Sequence, residues 1–145
     1  MNVQDMNISE RTIKDMIEKA EVARRFAYTP YSNFKVGAAL LTACGDIVTG
    51  CTIENAAYSP GNCAERTAIF KAVSEGKKDF SAIAIVAGKD EIRDYTSPCG
   101  MCRQVLREFV NPESFYVIMA KNISDYKVMT LEELFPMSFG PDNLK

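Results

Sequence analysis

Apolar residues along the chain alternate between helical spacing, at intervals of three and four, and short continuous runs typical of buried strands. These patterns predict nine elements in the order α-β-β-α-β-α-β-β-α. In that order they cover residues 10–27, 34–42, 47–53, 63–75, 82–88, 99–110, 115–120, 126–129 and a short helix between Thr130 and Pro136. The order indicates one mixed sheet covered by helices on both faces.

Local signals set several of the predicted boundaries. Asn7 has the position of a capping residue before the first helix, and Thr29-Pro30 ends that helix because the residue before proline disfavours the helical region. Cys44-Gly45-Asp46 is a turn of hairpin length, so the first two strands are expected to pair antiparallel. Thr130 and Glu133 have the spacing of a capping box. At 145 residues and without a repeat or linker, the chain is expected to form one domain, residues 1–145.

Composition narrows the classes of function. The chain is 47% hydrophobic and 25% charged, as in ordinary globular proteins, which argues against disorder. A net charge of −2 gives no basic excess to neutralise phosphates, so we expect no nucleic-acid partner. Uncharged stretches are far shorter than the roughly 20 residues of a membrane span, and the first residues lack a secretory pattern. We therefore expect no membrane partner and a location in the cytosol. The same sequence features are compatible with the nucleus.

Two short motifs carry the candidate chemistry. Histidine is absent, so catalysis cannot use an imidazole base. Cys63-Ala64-Glu65 and Pro98-Cys99-Gly100-Met101-Cys102 each open a predicted helix. Because parallel β-α-β units place successive helix N-termini at one edge of the sheet, the three cysteines are expected to converge. Three thiolates around a zinc ion leave its fourth position open, as in catalytic sites.

The neighbours of these cysteines fit the same hypothesis. Zinc with three thiolates carries one net negative charge, which helix N-termini offset in part. Arg66 and Arg103 are predicted to donate hydrogen bonds to the sulfurs. Glu65 is expected to reach the open position and act as a proton shuttle. Cys44 and Cys51 lack metal-ligand spacing and are interpreted as small buried core residues.

With these residues the chain resembles the zinc nucleoside and nucleobase deaminases, whose signature is His or Cys, any residue and Glu, followed later by Pro-Cys-x-x-Cys. Three further segments resemble the small homotetrameric cytidine deaminases, so the likeness covers nearly the whole chain. They are YTPYSNF at residues 28–34, GCTIENAAY at 50–58 and LFPMSFGP at 134–141. The most specific matches are CAERTA at 63–68 and SPCGMCRQ at 97–104.

The resemblance implies an α/β fold, a three-layer α/β/α sandwich with a mixed five-stranded sheet, and an assignment of site residues. One zinc ion per chain is bound by Cys63, Cys99 and Cys102, and Glu65 is the acid/base. The nucleoside pocket is lined by Phe34, Thr52, Glu54 and the backbone around Asn55, Ala56 and Ala64. In a homotetramer with shared active sites, Tyr58 and Phe139 approach the site of a neighbour.

The implied reaction is the hydrolytic deamination of cytidine and 2′-deoxycytidine to uridine and 2′-deoxyuridine, in pyrimidine salvage. Zinc-bound hydroxide attacks C4 of cytosine while Glu65 carries the protons. The family usually has Asn at the position of Thr52, where the Asn and Glu54 bind a ribose hydroxyl. A threonine hydroxyl lacks the reach and the paired donor and acceptor of an amide.

Several other interpretations remain open. A deaminase acting on polynucleotides shares the metal motif, although the acidic charge and the absence of Trp disfavour a strand-binding groove. A deaminase for another cytosine compound, such as a nucleoside antibiotic, is compatible with Thr52. A zinc-stabilised module without catalysis would not need Glu65, and the Cys-x-x-Cys pair taken alone is also typical of redox proteins.

Overall fold

Five strands and four α-helices alternate along residues 3–145, the part of the chain that the computed structural model describes. The strands are β1 (Lys35–Thr42), β2 (Ile47–Cys51), β3 (Phe80–Gly88), β4 (Tyr116–Asn122) and β5 (Asp125–Thr130). The helices are α1 (Glu10–Arg24), α2 (Ala64–Ser74), α3 (Gly100–Phe109) and α4 (Leu131–Leu134). The predicted order of elements is confirmed. Within residues 3–145, no helix has the length and apolar character needed to cross a membrane.

The strands form one mixed sheet in the order β2-β1-β3-β4-β5. Strand β1 pairs antiparallel with β2 and with β3, β3 pairs parallel with β4, and β4 pairs antiparallel with β5. Strands β2, β3 and β4 therefore run in the same direction. Because α2 is the next helix after β2 and α3 the next after β3, both helices begin at the edge where these strands end.

Helices cover both faces of the sheet. The buried residues of α1 pack against Ala82, Ala84 and Val86 of β3, whereas α2 and α3 pack against Ile83 and Ile85 on the opposite face. Buried on both faces, β3 is a continuous apolar run instead of an alternating one. The predicted three-layer α/β/α sandwich with a five-stranded sheet is confirmed.

Two of the helix starts are defined by side-chain caps. Ser9, not Asn7, caps α1: its backbone is extended and its hydroxyl accepts a hydrogen bond from the Thr12 amide over 3.1 Å. Asn7 lies too far before the first helical residue to occupy the cap position. At α4 the predicted capping box is present, with Thr130 and Glu133 each accepting from the other's backbone amide.

The two cysteines outside the motifs differ from their interpretation as buried core residues. Cys44 is exposed, because it lies in the turn between β1 and β2, beyond the last paired residues of the sheet. Cys51 ends β2 and is half-buried. The prediction is wrong for Cys44, and only partial burial is found for Cys51.

Candidate active site

Three cysteine sulfurs meet at the edge of the sheet where α2 and α3 begin. Cys63 and Cys99 are the N-terminal caps of the two helices, and Cys102 lies buried in the first turn of α3. The Sγ atoms of Cys63 and Cys99 are 3.8 Å apart, and all three sulfurs lie within 4.8 Å of one another. The parallel arrangement of β2 and β3 thus joins motifs that are 36 residues apart.

This arrangement of donors fits zinc. A tetrahedral ion with Zn–S bonds of about 2.3 Å holds its sulfurs roughly 3.8 Å apart, and the distance between Cys63 and Cys99 has that value. Thiolate sulfur is also the donor type that selects zinc over magnesium or calcium. The cluster is positioned to bind a metal ion through three protein ligands, which leaves a fourth coordination position for another molecule.

The pKa values of two of the thiols also favour a bound cation. A hydrogen bond from Cys102, together with those from Arg66 and Cys99, lowers the pKa of Cys63 to about 5. The hydrogen bond to Cys63 and burial raise the pKa of Cys102 well above its ordinary value. Cys63 therefore carries the negative charge while Cys102 keeps its proton, and a bound cation would favour the thiolate form of Cys102 as well.

The two arginines of the motifs have different contacts. The Arg66 guanidinium donates a hydrogen bond to the Cys63 Sγ over 3.3 Å. The expected contact of Arg103 with a sulfur is wrong, since its acceptors are oxygens: the Pro98 carbonyl at 2.7 Å, the Ser97 hydroxyl at 3.1 Å and the Leu134 carbonyl. The last carbonyls of a helix lack partners within it, and Arg103 satisfies the one that ends α4. It therefore links the loop before Cys99 to α4.

Glu65, in the first turn of α2, is a carboxyl group buried beside the cysteines. It is only 5% exposed. Burial, and to a lesser extent the charge of Cys63, raise the pKa of Glu65 to about 7, while contact with the Cys102 thiol acts in the opposite direction. A carboxyl group with a pKa near neutrality can both accept and release a proton, which suits a general acid and base.

A cavity of about 440 Å³ opens next to Cys63 and Arg66. Four of the residues predicted to bind substrate line it. They are Thr52, Glu54, Asn55 and Tyr58.

The other four predicted residues lie elsewhere. Phe34 borders a separate depression beside the loop that follows β3. Ala64 is fully buried and Ala56 is exposed in the loop after Glu54. Phe139 is 56% exposed in the C-terminal segment, where its carbonyl accepts from the Gln104 amide over 3.0 Å. Within one chain, these residues are not brought together with the cavity.

Hydrogen bonds that the sequence does not reveal hold Glu54 in the cavity wall. Glu54 Oε1 accepts from the backbone amides of Tyr31 and Ser32 over 3.0 and 3.2 Å, and Oε2 accepts from the Ser32 hydroxyl over 2.5 Å. The bond from the Ser32 side chain lowers the pKa of Glu54, and those from the backbone amides lower it further. The carboxylate is thereby fixed in its charged form. The segment at residues 28–34 was part of the resemblance, but nothing in it identifies Ser32 as a partner of Glu54.

Thr52 uses its hydroxyl in the sheet instead of the cavity. The Oγ1 atom accepts from the Val36 amide over 3.1 Å and donates to the Val36 carbonyl over 3.3 Å. The backbone amide of Thr52 donates to the same carbonyl. Thr52 thus extends the β1–β2 pairing past Cys51.

An α/β/α sandwich that brings a Cys-x-Glu helix start and a Pro-Cys-x-x-Cys helix start to one sheet edge defines a zinc-dependent deaminase. Comparison with known proteins agrees: the model of the cytidine and deoxycytidylate deaminase zinc-binding region matches residues 10–119. The chain belongs to this family and is a zinc-binding hydrolase.

Individual relatives match over most of their length. A cytidine deaminase from Sporosarcina psychrophila is 47% identical over 132 residues, covering 91% of this chain and 94% of the relative. The blasticidin-S deaminase from Bacillus cereus is 35% identical over 144 residues, covering 94% and 98%. The crystal structure of a cytidine deaminase from Burkholderia pseudomallei superposes with a TM-score of 0.78 at 45% identity, covering 86% of this chain and 97% of that one.

Proposed function

We propose that the chain deaminates cytidine and 2′-deoxycytidine to uridine and 2′-deoxyuridine with release of ammonia, and that it serves pyrimidine salvage in the cytosol. The observation that carries this proposal is the position of Glu65, a buried carboxyl group with a pKa of about 7 beside three zinc-compatible sulfurs, one of which, that of Cys63, borders the cavity. Similarity to several cytidine deaminases supports the choice of substrate.

In this proposal, Cys63, Cys99 and Cys102 hold one zinc ion per chain. Zinc bound there supplies Lewis-acid activation of water, the nucleophile of a hydrolytic deamination. Glu65 accepts a proton from the water that attacks C4 and donates it to N3 of the pyrimidine ring. Glu65 then carries a second proton from the added oxygen to the amino group, the C4–N bond breaks, and ammonia leaves. Arg66 stabilises the negative charge on Cys63 throughout.

The rest of the nucleoside occupies the adjoining cavity. Its volume of about 440 Å³ is within the usual range for small-molecule sites. Glu54, held ionised and in place, accepts a hydrogen bond from a sugar hydroxyl. The backbone of Asn55 contributes to the pocket, and the backbones of Ala56 and Ala64 extend it, since each directly follows a residue that lines the cavity, Asn55 or Cys63.

We further propose a homotetramer in which neighbouring chains complete each site. Tyr58 is 76% exposed at the cavity, and Phe139 is exposed in the C-terminal segment. Both side chains are therefore accessible to another chain. In the tetramer, Tyr58 and Phe139 lie close to the active site of a neighbour, and Phe34 lines the pocket.

A cytosine-containing nucleoside antibiotic is a second candidate substrate. Two observations favour it: Thr52 directs its hydroxyl into the sheet, and the blasticidin-S deaminase of Bacillus cereus is similar to nearly the whole chain. Replacing cytidine by blasticidin S in the same assay separates the two substrates.

The proposal is tested by following the ultraviolet change and ammonia release when the zinc-loaded protein is mixed with cytidine, 2′-deoxycytidine or CMP. We expect turnover of both nucleosides and none of CMP. Glu65→Gln should lower kcat by about 10²–10⁴-fold, the usual contribution of a general acid and base, with one zinc ion per chain retained. Glu18→Gln, on the exposed side of α1, is the matched control. Normal turnover by the Glu65→Gln variant would contradict the assignment.

A further inference from the structure

We infer that Ser32 is a positioning residue for the proposed reaction: it holds Glu54 so that a single free acceptor on Oε2 binds a sugar hydroxyl of the substrate. This inference rests on the proposed function, because it requires a nucleoside in the cavity. The contacts around the Glu54 carboxylate and the direction in which the Ser32 hydroxyl donates assign this role to Ser32.

Glu54 is fixed at its backbone and at its side chain by the same segment. Its amide donates to the Tyr28 carbonyl over 2.8 Å, and Tyr28 also forms an isolated bridge with Ile53. The carboxylate is bound by the backbone of Tyr31 and by Ser32. The turn at residues 28–33 therefore determines where the carboxylate lies.

The direction of the Ser32 hydroxyl follows from its two partners. Ser32 Oγ accepts the Phe34 amide over 3.0 Å, which uses a lone pair. A carboxylate is an acceptor only, so the hydroxyl hydrogen must point to Glu54 Oε2. Ser32 thus connects the backbone of the turn to one oxygen of Glu54.

The Glu54 carboxylate has few acceptor sites left for a ligand. An ionised carboxylate has about four lone-pair sites, and Tyr31 and Ser32 fill both sites of Oε1 and one site of Oε2. With the partners found in residues 3–145, one site on Oε2 remains for a ligand. Only a donor can use it, and a sugar hydroxyl is a donor.

The neighbouring Thr52 cannot take over this role. Its hydroxyl hydrogen is already donated to the Val36 carbonyl. The side chain of Thr52 therefore has no donor to offer to the cavity. Of Thr52 and Glu54, only Glu54 is left to bind the sugar, and Ser32 orients it.

The test compares Ser32→Ala, the conservative Ser32→Thr and the matched control Ser74→Ala on zinc-loaded protein. Ser74 is an exposed serine at the end of α2 whose hydroxyl donates to the Lys71 carbonyl over 2.7 Å. Each variant is assayed for kcat and KM with cytidine and with 2′,3′-dideoxycytidine, which lacks both ring hydroxyls.

We expect Ser32→Ala to lower kcat/KM for cytidine by about tenfold, the effect of one hydrogen bond to a charged group. For dideoxycytidine the change should be less than about twofold, because the ring hydroxyl that would bind Glu54 is missing. Ser32→Thr should restore most of the activity on cytidine, and Ser74→Ala should not differ from the unchanged protein. Equal losses on both substrates in Ser32→Ala would mean a general structural role and would overturn the inference.

A second readout does not depend on turnover. Since the bond from Ser32 lowers the pKa of Glu54, an NMR titration of the Glu54 carboxyl carbon should show a higher pKa in Ser32→Ala. An unchanged pKa would show that the contact is absent and would overturn the inference. If the unchanged zinc-loaded chain deaminates neither nucleoside while the pKa does rise, the proposed function fails, but the contact between Ser32 and Glu54 is established.

Discussion

Gly50 is the position where one added methyl group should disturb the catalytic geometry without touching a catalytic residue. It lies in β2 beneath the first turns of α2. A Cβ atom there would be 2.5 Å from the Ala64 carbonyl oxygen and 2.5 Å from the Ala68 amide nitrogen. Both are backbone atoms, so no side-chain rotation relieves the contact, and α2 must move away from the sheet.

The size of that movement follows from the distances. Ordinary contact begins at 3.4 Å, so the start of α2 has to shift by about 0.9 Å, and a displacement near 1 Å can cost about 100-fold in rate. The shift moves Cys63 and Glu65, at the start of α2, relative to Cys99 and Cys102 on α3. Overpacking of this kind typically costs about 1–3 kcal/mol of stability.

Steady-state kinetics, zinc content and thermal unfolding of Gly50→Ala test this reasoning. We expect kcat to fall by about 100-fold and Tm to fall by about 3–10 °C. Gly100→Ala is the control, because no atom of residues 3–145 beyond its own neighbourhood lies within 4 Å of the new Cβ. Normal kcat and Tm in Gly50→Ala would refute the argument that the added Cβ displaces the start of α2.

Two further outcomes are expected. Removal of zinc by a chelator should abolish turnover but leave the far-ultraviolet circular dichroism unchanged, because the buried apolar residues that pack on the two faces of the sheet include none of the three cysteines. Tm should fall by about 5–10 °C, and loss of secondary structure would contradict this expectation. Arg103→Lys keeps the charge but cannot reach Pro98, Ser97 and Leu134 together, so the free energy of unfolding should fall by about 1–3 kcal/mol. The exposed Arg93→Lys should change nothing. Equal free energies of unfolding in the two variants would refute the link between the loop and α4.

Local patterns in the sequence were sufficient to predict the sandwich and the metal site. Helical spacing and short apolar runs gave the order of elements, since burial on one or two faces imposes those periods. The convergence of Cys63 with Cys99 and Cys102 followed from that order, because right-handed crossovers leave only one edge for both helix starts. Residue types at fixed spacing therefore determined the site.

Side-chain directions in loops were decided only by the tertiary structure. The sequence places Arg103 next to Cys102, yet its guanidinium meets oxygens that α4 brings from 31 residues away. It places Ser32 in a turn 22 residues before Glu54, and only the folded loops show that the two are bonded. The sequence also gives no partner for the Thr52 hydroxyl, which in the structure donates a hydrogen bond to the Val36 carbonyl in the neighbouring strand.

The physical reason is the same in each case. Periodicity records which faces are buried, a property averaged over many residues, so it survives in the sequence as a pattern. A hydrogen bond between loops depends on the position of two particular groups to within a few tenths of an ångström. That position is fixed by the packing of α2, α3 and α4 on the sheet. The sequence by itself determined the fold and the metal-binding cysteines, and the packed structure decided which groups orient the residues around them.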